Sequence, residues 1–186
     1  MIIDRRDALA GIVAMFGASL FAPIARAATG DVIPISDGPP SAAVFTPQQR
    51  ALMTALSERV MPTTDTPGAI AAGVPDFIEK LLADWAKPED REPILAGLDA
   101  IEARSQSEYQ VAGAQATPEQ QDALLTLAME DKLPGGKDFF EKFRQLVITG
   151  YFTSEVGIMQ EREYLPVPGR FDGAYPYTPG TKVFSS

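Results

Sequence analysis

The chain has 186 residues, a formal charge of −9, a pI near 4.5, and neither cysteine nor histidine. Its length and 45% apolar content suit one soluble domain with a real core. The acidity excludes the basic footprint that nucleic acid requires and electrostatic docking on an anionic bilayer. Without those two residue types there is no disulfide, no c-type haem attachment and no Ser–His or Cys–His nucleophile pair. Zinc and iron–sulfur sites lose their usual ligands. No two glycines stand two apart, so the dinucleotide fingerprint is missing, and Gly135-Gly136-Lys137-Asp138 is no phosphate loop. Only carboxylates, lysines and tyrosines remain for chemistry, so no catalytic centre, bound cofactor or metal site is expected in this chain.

Residues 1–27 read as an export signal. Arg5 and Arg6 precede an apolar run from Ala10 to Ala25, and Ala25-Arg26-Ala27 supplies the small residues of a cleavage site. Paired arginines point to the twin-arginine route, which carries folded proteins. Ala8 stands where that pattern prefers an aromatic. The alternatives are an ordinary secretory signal or an uncleaved anchor. The run is broken by Gly11, Gly17 and Pro23 and is shorter than the roughly 20 residues a spanning helix needs. Residues 28–44, rich in Pro, Gly and Ser, read as an extended arm.

The helical domain is expected over residues 45–163. Thr46-Pro47-Gln48-Gln49 is a capping box with proline in the first turn, and Leu52, Leu56 and Val60 share one face. Met61-Pro62 ends that helix. After a loop with a short turn at 69–72, a second helix starts near Pro75-Asp76. Its stripe is Phe77, Ile78, Leu81, Leu82 and Trp85, the last read as core. Lys87-Pro88 separates it from a third helix with Ile94, Leu95, Leu98, Ile101 and Tyr109 inward. Thr117-Pro118-Glu119-Gln120 repeats the capping box and opens a fourth helix through Ala128. Lys132 to Gly136 breaks the pattern. A fifth helix is expected from Lys137 to Thr149, with Phe139, Phe140, Phe143, Leu146 and Val147. Ser154-Glu155 supplies a cap and a first-turn acid for a short sixth helix to about Glu161. No segment alternates with period two, so the fold class is all-α, a bundle of about five to six helices.

Residues 164–186 form an irregular tail. Prolines and glycines exclude a helix, yet Tyr164, Phe171, Tyr175, Tyr177 and Phe184 are costly to leave in water. They either cover the chain's own bundle or wrap a partner. The acids Glu89, Asp90, Glu92, Glu130 and Asp131 could serve acid–base chemistry. Among charged neighbours at helix ends they read as a solvated face. Tyr151-Phe152-Thr153-Ser154-Glu155, just after Gly150, reads as a packed corner. It is either a helix junction or, with Tyr164, Phe171, Tyr175 and Tyr177, part of a partner interface.

Three segments together resemble the gluconate 2-dehydrogenase subunit 3 family. They are Asp65-Thr66-Pro67-Gly68-Ala69 with Ala72-Gly73-Val74 and Phe77-Ile78; Gly150-Tyr151-Phe152-Thr153-Ser154-Glu155 with Gly157; and Pro168-Gly169-Arg170-Phe171-Asp172-Gly173. The helix from Thr46 to Pro62 precedes them in the family's order, and the likeness covers about residues 45–175. It implies the non-catalytic small subunit of a periplasmic sugar, sugar-acid or glycoside dehydrogenase. The large subunit would hold FAD and the active site in a glucose–methanol–choline type fold. A cytochrome c subunit with haem c could take the electrons and hold the complex at the membrane. The small subunit would carry the large one out by the twin-arginine route. The competing reading is a freestanding periplasmic helical binding protein, or an enzyme using carboxylates.

Overall fold

The computed structural model describes residues 38–165 without a break, then residues 167, 169, 174, 176, 178, 180–182, 184 and 185. The chain divides into two compact units, Met1–Pro39 and Pro40–Ser186. All that follows concerns the second. The signal residues Arg5, Arg6, Ala25 and Ala27, and the tail aromatics Phe171, Tyr175 and Tyr177, lie outside the described residues.

Five α-helices make the bundle: α1 Pro47–Val60, α2 Val74–Asp84, α3 Pro88–Tyr109, α4 Pro118–Met129 and α5 Gly136–Thr153. Both capping boxes form. At α1 the Gln49 amide donates to Thr46 Oγ1 at 3.2 Å and the Thr46 amide to Gln49 Oε1 at 3.0 Å. Thr117 and Gln120 repeat the exchange at α4. Pro47 and Pro118 have no amide to satisfy, and the capping box satisfies two of the three orphan amides left at each helix start. A 3₁₀ turn, Gly113–Gln115, joins α3 to α4. A π-helical turn, Gly157–Glu161, follows α5 where the short sixth helix is expected. Then β1, Glu163–Tyr164, pairs in parallel with β2, Phe184–Ser185, with Glu163 opposite Phe184. This two-residue ladder is the only strand pairing among the described residues, and the fold is all-α.

Helix α5 is the centre and touches each of the other four. Its Phe139, Phe143, Val147 and Tyr151 recur every four residues, so they line one face, and all are buried. Phe139 and Phe143 stack with centroids 5.3 Å apart. Around them close Leu52, Met53 and Leu56 of α1, Ile78 and Leu82 of α2, Ile94, Leu98 and Ile101 of α3, and Leu124 and Ala128 of α4. At Gly97 a Cβ would lie 2.2 Å from the Phe139 ring, so α3 meets α5 with no side chain between. Charged and amide side chains tie α1 to its neighbours at the surface. Arg50 pairs with Asp76 and Glu79 of α2, Gln49 donates to Asp99 of α3, and Arg59 grips Asp122 of α4 through two 2.7 Å bonds.

Two sequence expectations change here. Trp85, expected in the core, is 56% exposed at the end of α2. It is the C-cap residue, with φ −123° and ψ −34°, so it leaves the helical stripe that buries Ile78 and Leu82. Helix α5 also runs four residues past Thr149. The helix continues through Gly150, whose missing Cβ admits the Phe77 ring of α2; a Cβ there would stand 2.7 Å from that ring. Tyr151 and Phe152 therefore lie in the last helical turn, and the chain turns at Ser154.

Candidate functional site

The loop between α1 and α2 is built on one carboxylate. Glu58 Oε1 accepts from the Thr63 amide at 2.9 Å and the Thr63 hydroxyl at 2.7 Å, and Oε2 accepts from the Ile70 amide at 3.0 Å. Thr63 Oγ1 then accepts from the Gly68 amide at 3.0 Å. A side chain at residue 68 has no room: a Cβ would meet Glu58 Oε1 at 2.3 Å and the Thr63 nitrogen at 2.5 Å. Burial works to raise the Glu58 pKa. The hydrogen bonds from Ile70 and Thr63 and the charge of Arg59 outweigh it and hold the carboxyl below its ordinary value.

That loop is bolted to the end of α5. Tyr151 Oη donates to the Pro67 carbonyl at 2.9 Å, and Thr66 Oγ1 donates to Glu161 Oε2 of the π turn at 2.8 Å. The Ser154 hydroxyl donates to the Tyr151 carbonyl at 2.6 Å and accepts from the Gly157 amide at 3.1 Å. Gly157 packs so closely that a Cβ would lie 2.1 Å from the Tyr151 oxygen. The segments around Thr66 and Tyr151, more than eighty residues apart, are thus one structural lock. Residues 170–173 of the third segment lie outside the described residues.

The partner-interface candidates separate. Tyr151 is 2% exposed and belongs to the core, because its ring completes the α5 stripe and only its hydroxyl reaches a partner. It offers no surface to another chain. Phe152 is half-buried, edge-on to Tyr151 at 5.3 Å. It lines a cleft of about 620 Å³ with Glu161, Arg162, Gly180, Thr181 and Lys182. Thr153 and Glu155 are exposed and Ser154 is half-buried. Thr153 and Ser154 both spend their hydroxyls on backbone carbonyls at the end of α5. Tyr164, in β1, is 44% exposed.

The sequence reading missed other surface features. Met159, Leu165 and Val167 join Tyr164 as exposed large apolar side chains, with Val167 at 79%. Trp85 overlooks a groove of about 720 Å³ floored by Leu81, Leu82, Ile94 and Leu146. Its rim carries Asp90, Asp138, Glu141, Lys142 and Arg144. The solitary tryptophan at a helix end, next to Lys87-Pro88, was the available signal. The non-helical composition of residues 164–169 was the signal for the strip.

Glu89, Asp90, Glu92, Glu130 and Asp131 are all exposed, as a solvated face requires. Among the described residues no three acidic side chains gather as a metal site, and no helix is long and apolar enough to cross a membrane. What the arrangement can do is present a rigidly backed apolar edge to another macromolecule.

A family model described as gluconate 2-dehydrogenase subunit 3 matches residues 47–169. No curated protein and no solved structure matches the chain. The match runs from the first turn of α1 through the Thr66–Tyr151 lock and past β1, and the chain belongs to the gluconate 2-dehydrogenase subunit 3 family, named for one subunit of a multi-subunit dehydrogenase.

Proposed function

We propose that this chain is the non-catalytic small subunit of an exported FAD-dependent sugar, sugar-acid or glycoside dehydrogenase, required to assemble and export the large catalytic subunit. Membership of the family across residues 47–169 carries the reading. The exposed apolar edge after α5 supports it, since a subunit of a complex needs such a surface. The paired Arg5 and Arg6 ahead of an apolar run support the export half. In this reading FAD and the reacting groups belong to the large subunit, of glucose–methanol–choline type. A cytochrome c subunit receives the electrons through haem c and holds the complex at the periplasmic face of the membrane. The small subunit contributes shape, and its twin-arginine signal takes the folded pair across.

The test changes Arg5→Lys together with Arg6→Lys in the native host and follows both subunits by fractionation. The expected result is retention of both chains in the cytoplasm and loss of periplasmic dehydrogenase activity. Undiminished periplasmic large subunit would overturn the export role. A tagged wild-type chain that brings down no flavin-containing subunit would overturn the accessory role.

A further inference from the structure

Glu58 holds the loop between α1 and α2 with three uncharged donors on two oxygens: the Thr63 amide, the Thr63 hydroxyl and the Ile70 amide. Hydrogen bonds to an ionised acceptor are roughly twice as strong as neutral ones. Protonating Glu58 therefore weakens all three at once, and makes one of the two oxygens a donor. Thr63 and Ile70 are exposed, so amides released from the carboxylate meet water and the loop can open without unfolding the bundle.

The same loop supports the chain beyond α5. Thr66 lies between the two clasped ends, and its hydroxyl donates to Glu161 Oε2 at 2.8 Å. π-helical turns are rare and occur mostly inside α-helices. This one follows a break at Ser154 and depends on what packs against it. β1 continues from it and pairs with β2, and Lys182 Nζ donates to the Gln160 carbonyl. The π turn, β1 and β2 are thus one segment, braced by Thr66.

The charged groups around this path are few. Arg59 is the charge that reaches Glu58, and Asp122 of α4 already engages it, with Glu119 nearby. Asp65, in the loop, accepts from the Thr64 hydroxyl and faces Lys182. From α5 the loop meets the Tyr151 phenol at Pro67, and from the π turn it meets Glu161, next to Arg162. Glu161 takes a single hydroxyl from Thr66, which a protonated carboxyl still accepts. Glu58, with three donors, is the sensitive group.

We propose that Glu58 is an acid-operated latch: its protonation loosens the loop at 63–70 and, through Thr66 and Glu161, frees the π turn and β1 while the five helices stay folded. With the clasp open, Thr66 keeps one support, the Tyr151 bond to Pro67, instead of two. Burial opposes ionisation of Glu58, but the Ile70 and Thr63 donors and Arg59 outweigh it. The latch is therefore closed near neutrality and opens as pH falls through a folded value below 4.5. It goes beyond the accessory role and does not depend on it.

Amide exchange measured by NMR on the full-length chain at neutral pH tests the latch. Wild type is compared with Glu58→Gln, Thr66→Val and Asp122→Asn. Glu58→Gln should speed exchange at Thr63 and Ile70 and also at Gly157, Ile158 and Arg162, each by at least about tenfold, the effect of one charge-assisted hydrogen bond. Amides of α3 and α4 should keep wild-type rates. Thr66→Val should speed the π turn alone. Asp122→Asn, which breaks the Arg59 pair on the same helix, should change neither set. Acceleration confined to the loop in Glu58→Gln, equal acceleration throughout α3 and α4, or wild-type exchange of the π turn in Thr66→Val overturns the latch. If Glu58→Gln fails to fold, a pH series on wild type decides instead. The amide signals of Thr63, Ile70, Gly157 and Arg162 should then move with one midpoint below pH 4.5, and Thr66→Val should remove that midpoint from Gly157 and Arg162. Loop amides that titrate while Gly157 and Arg162 do not share their midpoint overturn the latch.

Discussion

The phenol of Tyr151 donates to the main-chain carbonyl of Pro67 at 2.9 Å, joining the last turn of α5 to a loop eighty-four residues earlier. The ring is buried and the hydroxyl has one well-formed acceptor, so packing and hydrogen bonding can be tested separately. Tyr151→Phe keeps the ring and leaves the Pro67 carbonyl without that donor, at an expected cost of about 0.5–1.5 kcal/mol. Tyr151→Ala opens a cavity in the central stripe and should cost about 3–5 kcal/mol. Urea denaturation of both variants measures this. Equal stability of Tyr151→Ala and wild type would remove Tyr151 from the core.

Acid should destabilise the protein in part through Glu58. Burial opposes its ionisation, but donors from Ile70 and Thr63 prevail and its folded pKa lies below the ordinary 4.5. The native state then binds fewer protons than the unfolded chain. The contribution is complete above the unfolded value and disappears as pH falls through the folded one. Asp122, held down by Arg59, acts in the same direction, as does Asp84, lowered to about 2 by the Ser41 hydroxyl and amide. Glu58→Gln should be less stable than wild type near neutrality. The gap between their urea midpoints should close as pH drops below about 4.5. A gap that widens on acidification would refute the assignment.

Gly97→Ala replaces a poor helix former with the best one, which alone would favour α3 by about 1 kcal/mol. Contact decides the sign instead, because the new methyl would stand 2.2 Å from Phe139 Cγ and Cδ2. Overpacking of this kind should destabilise by about 1–3 kcal/mol net. Adding Phe139→Leu should recover part of the loss, since the two sites share one contact. Thermal unfolding of the two single variants and the double variant checks the coupling.

Gln110 closes α3 in the left-handed region, with φ 58° and ψ 27°. Glycine takes that conformation without the Cβ penalty, so Gln110→Gly should raise stability by about 0.5–1 kcal/mol. Asp131 shares the backbone geometry, with φ 57°, but its Oδ1 accepts from the Lys137 amide at 3.3 Å. Asp131→Gly forfeits that cap and should gain less. Calorimetry on the two variants distinguishes them, and a larger gain at residue 131 would contradict the capping argument.

Helix starts, helix faces and the all-α class could be read from the residues because each depends on neighbours within one or two turns. Thr46 needs only Gln49 to form its capping box, and Thr117 only Gln120. Phe139, Phe143 and Val147 declare a face by spacing alone. The motif segments at 65–78 and 150–157 were visible as strings, but their purpose was not. That Thr66 answers Glu161 and Tyr151 answers Pro67 depends on two stretches brought together only by the closed bundle. The fifth helix is expected from sequence to end at Thr149, one residue before Gly150. In the fold it is where α5 admits Phe77, a contact that requires knowing what lies opposite. Trp85, expected in the core, lies exposed, and Tyr151, left open between a helix junction and a partner contact, lies in the core, both for the same reason. An aromatic residue declares that it will bury area, but which face it meets, the core or the solvent, is settled by the last turn of its helix and by the elements packed around it.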